Sequence, residues 1–149
     1  MTLDQIVPVL QLSIGPVILI SGAGLVLLSM TNRYGRVIDR SRSLAESLRQ
    51  VSGDEASRFH SQILILIRRA RLLRMAIAFT STSLLLAAVL IIALFLVALL
   101  KLSAVLLIIV LFSACMISLI LGLIVFLIDV NVSLSALKLE IDGEGHGIP

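Results

Sequence analysis

The sequence predicts an all-α membrane protein with three transmembrane helices, on three observations. Of its 149 residues 59% are hydrophobic and 14% charged, with a mean hydropathy of +1.16, far outside the range of soluble domains. Residues 6–30, 75–100 and 104–128 contain no Asp, Glu, Lys, Arg or His. Each reaches the roughly 20 apolar residues needed to cross a hydrocarbon core about 30 Å thick. All ten arginines fall between Thr31 and Arg74. Helices one and two are therefore expected to extend from the bilayer as an antiparallel hairpin over 31–74, with a C-terminal helix over 129–142 continuing span three and a flexible tail over 143–149.

The charged insert sets the orientation. Its ten Arg face only Asp39, Glu46, Asp54 and Glu55, a local excess of six positive charges, and short basic loops stay on the cytoplasmic side. The expected topology is an outward-facing N-terminus, an outer turn at Lys101 to Ser103, and a C-terminus on the cytoplasmic side. The first run reads as a retained span: its leading residues MTLDQ carry an acid and no base, and its apolar stretch is too long for a secretion signal.

Span one holds Pro8 in its first turn, where the missing N–H costs little, and Pro16 in its interior, where a bend is expected. Gln11, Gly15, Gly22 and Ser29 are spaced four, seven and seven apart and share one helix face. In lipid such a face permits close approach of a second helix. It serves either packing within the protomer or a stripe facing water or another subunit.

Beyond Met30, Val37, Ser41, Leu44, Leu48 and Val51 recur at alternating spacings of four and three, a seam for a partner helix. Helix one should thus reach about Val51. Gly53 then stops it, and Ser52 with Glu55 forms a capping box for the next helix. Phe59, Ile63, Leu66, Ala70 and Leu73 make the matching seam. Charges at Arg36 and Asp39, Arg42 and Glu46, and Glu46 and Arg49 stand three or four apart, as on a solvated helix face. Ile63 to Ile67 is apolar on almost every side, which implies a neighbour beyond the hairpin. Arg68, Arg69, Arg71 and Arg74 lie beside the membrane as a topology signal and as contacts for anionic lipid headgroups.

A turn near Ser52 and Gly53 places Met30 beside Met75, and a turn at Lys101 to Ser103 places Met75 beside Asp129. In span two, Thr80 to Ser83 supply hydroxyls to neighbouring carbonyls. In span three, Ser118 and Gly122, with Ser113 and Ala114 a turn earlier, form the packing face against span two, and Cys115 is a small buried hydrophobe. Asp129 should pair with Arg71 or Arg74, because an uncompensated charge at the interface costs of order a few kcal/mol. The tail carries Val130, Leu134, Leu137 and Ile141 at helical spacing, although Val130, Val132 and Leu134 also alternate like a strand.

Chemistry is sparse. The spans hold no titratable acid, base or histidine, and His60 and His146 lack a second ligand at helical spacing. No phosphate loop, dinucleotide fingerprint or nucleophile elbow occurs. The basic run lacks the aromatic interleaving of a nucleic-acid surface. We expect no catalytic, cofactor or metal site, and no nucleic-acid partner.

LLSMTNRYGRVIDRSRSL, LIRRARLLRMAI and FLIDVNVSLSALKLEI resemble the bacterial membrane-protein family known as domain of unknown function twenty-seven twenty-one, over nearly the whole chain. The resemblance implies three spans in a bacterial inner membrane and carries no activity with it. Its matching positions are Asn32, Arg33, Asp39, Arg40, Arg68, Arg69, Arg71 and Asp129, the last a glutamate in the family pattern. Two readings of function stand: a homo-oligomeric channel or pore lined by Gln11, Gly15, Gly22 and Ser29, or a non-catalytic scaffold or accessory subunit of a larger membrane complex.

Overall fold

The computed structural model describes residues 3–49, 54–100 and 103–144, and these form three helices. Helix α1 spans Leu3–Leu48, α2 Asp54–Leu100 and α3 Val105–Glu144. All three are long and apolar enough to cross a membrane. At about 1.5 Å per residue, the 46 residues of α1 extend about 70 Å, so this helix continues well beyond its apolar run, as expected. Its last turn closes with Arg49 N donating to Glu46 O at 3.1 Å. The expected stop at Val51 and Gly53, and the cap at Ser52, lie outside the described residues.

One local expectation changes. Pro8 sits inside α1, which begins at Leu3, because the polar residues ahead of the apolar run join the helix instead of preceding it. The helix expected to continue span three is present despite the strand-like alternation from Val130: α3 runs unbroken to Glu144, since elongating an existing helix adds one hydrogen bond per residue at no nucleation cost. Side chains beyond Ser133, including Leu134, Leu137 and Ile141, lie outside the described residues, as do Ser61 and the whole of 145–149.

The chain divides into two compact units, Met1–Ser29 with Ile77–Gly122, and Met30–Ala76 with Leu123–Pro149. The breaks in α1 and α2 fall at the expected ends of their apolar runs. The break in α3 comes six residues before the expected boundary at Asp129.

In the first unit, hydroxyl and thiol groups tie α2 to α3. Ser83 Oγ donates to the Cys115 carbonyl at 3.0 Å, and Cys115 Sγ donates back to the Ser83 carbonyl at 3.3 Å. Ser118 Oγ donates to the Phe79 carbonyl at 2.8 Å. Buried Ser83, Cys115, Ser118 and Gly122 form the packing face on these helices, while Ser113, expected there, is exposed. Cys115 is buried as expected, and it is also a hydrogen-bonding partner. In both pairings the residue numbers sum to 197 or 198, against about 204 for a symmetric turn at Lys101 to Ser103. The helices have slid by about six residues, about 9 Å. A slide of nearly two turns keeps the same faces in contact, because an α-helix surface almost repeats after seven residues. Periodicity could select the faces and not the level.

In the second unit the seam positions are the covered ones. Val37, Leu44 and Leu73 are buried and Ser41, Leu48, Phe59, Ile63, Leu66 and Ala70 half-buried, whereas Leu64, Ile65 and Ile67 are exposed. Met30 and Ala76 are fully buried, but Met75, expected beside Met30, is exposed. Among the described residues the expected surface pairs Arg36 with Asp39 and Glu46 with Arg42 or Arg49 do not form.

Candidate functional site: a buried carboxylate and an arginine cleft

The most unusual chemistry lies at Asp129. Its side chain is fully buried, on the α3 face that also carries half-buried Phe126 and Ser133. Arg69 of α2 donates from Nε to Oδ1 at 3.4 Å, and Arg33 of α1 brings Nη1 to 4.0 Å from Oδ2. The second distance is an ion pair and not a hydrogen bond, so Oδ2 has no hydrogen-bond partner. The guanidinium of Arg33 also stacks on Phe126, 5.4 Å from its centroid, a cation–π contact that suits the delocalised arginine head. One acid thus ties together residues from all three helices.

The expected partners were Arg71 and Arg74; both are exposed, and neither pairs with Asp129. The reason is the register. Arg69 and Asp129 again sum to 198, and Arg69 lies on the inward side of α2, with Leu66 and Leu73 on neighbouring turns. Of the four arginines expected to meet lipid headgroups, Arg68, Arg71 and Arg74 are exposed, while Arg69 is held by Asp129 with 18% of its side chain accessible.

Beside this cluster opens a cleft of about 330 Å³ lined by Arg33, Arg36, Arg40 and Val37 of α1, Leu66 and Arg69 of α2, and Ser133 of α3. Arginines are permanent cations with only donors to offer. Such a cleft can hold an anion and has no base with which to move a proton. Among the described residues no group of three or more His, Cys, Asp or Glu is placed to hold a metal. The sequence contained one signal for this cleft that spacing arguments missed: Arg33, Arg36 and Arg40 stand three and four apart, on one helix face with the seam residue Val37.

Gln11, Gly15, Gly22 and Ser29 are all exposed in the single chain. The packing side of α1 is instead Ser13, Ala23, Met30, Val37 and Leu44, the last four each seven apart and all buried. A Cβ added at Gly15 or Gly22 would meet nothing within 4 Å. Packing within the protomer, one of the two expected uses of that face, therefore does not use these glycines for close approach. A second cleft, about 250 Å³, is apolar and lies among Gly15, Pro16, Leu19, Leu90, Phe112 and Met116.

Three long apolar helices, with every charged residue outside the apolar runs 6–30, 75–100 and 104–128, define a multi-pass helical membrane protein. Within that class, the chain belongs to the family described as Protein of unknown function (DUF2721), whose model matches residues 13–139. No curated protein and no solved structure matches the chain. Of the positions that the family resemblance singled out, Arg33, Arg69 and Asp129 meet in one ion cluster and Arg40 lines the adjoining cleft.

Proposed function

We propose that the protein is a non-catalytic, homo-oligomeric assembly of the bacterial inner membrane, with its N-terminus periplasmic and its C-terminus cytoplasmic, and that it conducts ions through a pore lined by α1. One observation carries the reading: the Gln11, Gly15, Gly22 and Ser29 face is exposed, and a Cβ added at either of its glycines would meet nothing within 4 Å. Glycine inside a helix costs about 1 kcal/mol relative to alanine. A membrane helix that keeps two on one face, beside an amide facing acyl chains, recovers that cost when a second copy packs closely there and satisfies Gln11. Exposed Arg68, Arg71 and Arg74 then meet anionic headgroups, and arginines ringing the inner mouth favour anions.

The test joins assembly to flux. Native mass spectrometry should find an oligomer that Gly22→Leu dissociates, and proteoliposomes should pass halide with the wild type and not with the variant. A monomer, or a Gly22→Leu protein identical in both assays, removes the reading.

A second reading has its own support. Leu64, Ile65 and Ile67 are exposed outside the expected apolar spans, which favours a scaffold docking a partner membrane protein through α2. Reproducible copurification of one companion, lost on Ile65→Glu, would favour it.

A further inference from the structure

We propose that the cleft bounded by Arg33, Arg36, Arg40, Arg69 and Ser133 is a binding site for a phosphate group, carried either by an anionic phospholipid headgroup or by a soluble phosphate. This stands independently of the pore, since it needs only the second unit of a single chain.

Charge comes first. Four guanidiniums line the cleft, and the acid that pairs with any of them is Asp129, which engages Arg69 and Arg33 alone. Among the described residues no carboxylate pairs with Arg36 or Arg40. These two are a turn apart on α1, where like charges repel. Unscreened like charges facing one cleft are relieved by a bound anion.

Geometry comes next. The hydrogen bond to Asp129 uses only Nε of Arg69, one of five N–H donors, and holds the head in place before any ligand arrives. Helical side chains lean toward their own N-terminus. Because α1 enters this unit at Met30 and α2 leaves it at Ala76, the arginines of α1 lean one way and Arg69 the other, and all four line the one cleft. Guanidinium forks match the oxygens of phosphate, and a hydroxyl such as that of Ser133 adds a further donor. The cleft volume of about 330 Å³ falls within the range of small-ligand sites, about 300–1,000 Å³. Val37 and Leu66 supply its apolar walls.

A topology signal alone does not account for this. The positive-inside effect counts cations in a loop and is indifferent to where their heads point; Arg68, Arg71 and Arg74 serve it from the exposed surface. Convergence of Arg33, Arg36, Arg40 and Arg69 on one cleft is an additional property. Arg33 lies one turn beyond Met30, where the apolar run ends, which puts the cleft within reach of headgroups.

The experiment uses the full chain, purified and delipidated in detergent, with native mass spectrometry as the readout. Tetraoleoyl cardiolipin probes the lipid source, and inorganic phosphate and pyrophosphate probe the soluble one. Wild type should retain one cardiolipin, or one pyrophosphate, at least tenfold more tightly than Arg36→Gln/Arg40→Gln, while Arg42→Gln, at an exposed arginine outside the cleft, stays within about twofold of wild type. Arg36→Lys/Arg40→Lys, which keeps the charge but not the fork, should fall between them. Cardiolipin binding that pyrophosphate does not displace assigns the site to lipid; displacement or direct binding of pyrophosphate assigns it to soluble phosphate. Equal retention by wild type and Arg36→Gln/Arg40→Gln, an equal loss in Arg42→Gln, or no binding of any probe overturns the proposal. Far-UV circular dichroism confirms that the variants, altered only at exposed side chains, remain helical.

Discussion

Breaking the Asp129 cluster from its two sides should have unequal consequences. Removing Arg69 as Arg69→Met leaves a fully buried carboxylate with only Arg33 at 4.0 Å and one oxygen already without a hydrogen bond. An uncompensated buried charge of this kind costs about 3–5 kcal/mol, and the remaining arginine brings the expectation to about 3. Asp129→Asn removes the charge but keeps an acceptor for Arg69, whose head, like that of Arg33, has access to solvent at 18% and 35% of the side chain. Loss of one charge-assisted hydrogen bond with that relief costs about 1.5–2 kcal/mol. The double variant Arg69→Met/Asp129→Asn buries no charge and should fall about 2 kcal/mol short of the sum of the singles. Unfolding in mixed micelles by titration with sodium dodecyl sulfate, followed by circular dichroism, supplies the cycle. Additivity within about 0.5 kcal/mol, or Asp129→Asn proving costlier than Arg69→Met, would refute the argument. So would a loss in Arg71→Met or Arg74→Met equal to that in Arg69→Met, since surface substitutions should stay within about 0.5 kcal/mol of wild type.

Three further outcomes are expected. Ser83→Ala and Ser118→Ala should each lower stability by about 0.6–1.7 kcal/mol, the range for hydrogen bonds between membrane helices, whereas Ser113→Ala should be neutral in the same unfolding assay. Cys115, buried and bonded to Ser83, should resist maleimide labelling in the folded protein and react fully once denatured. Gly22→Ala should stabilise the isolated chain by up to about 1 kcal/mol through helix propensity while weakening self-association; dilution series by analytical ultracentrifugation would separate the two effects, and tighter association would count against the proposed interface.

What could be read from residues alone was whatever depends on local composition and period. Apolar runs of bilayer length, the placement of every arginine in one insert and the four-and-three seams were enough for three long helices and for the covered side of α1 and α2 outside those runs. Each of these follows from transfer of apolar surface out of water and from the pitch of the helix, and neither depends on what lies across the interface. Which arginine meets Asp129 was of another kind. Helical period does not set the level at which two helices meet: a turn centred at Lys101 to Ser103 brings the neighbourhood of Arg74 opposite Asp129, whereas a register about six residues away brings Arg69 there. Tertiary structure likewise decided that Gly15 and Gly22 are exposed, and it turned three arginines of α1 and one of α2 toward a common cleft, because the convergence of side chains from different helices is a property of their level and not of their spacing.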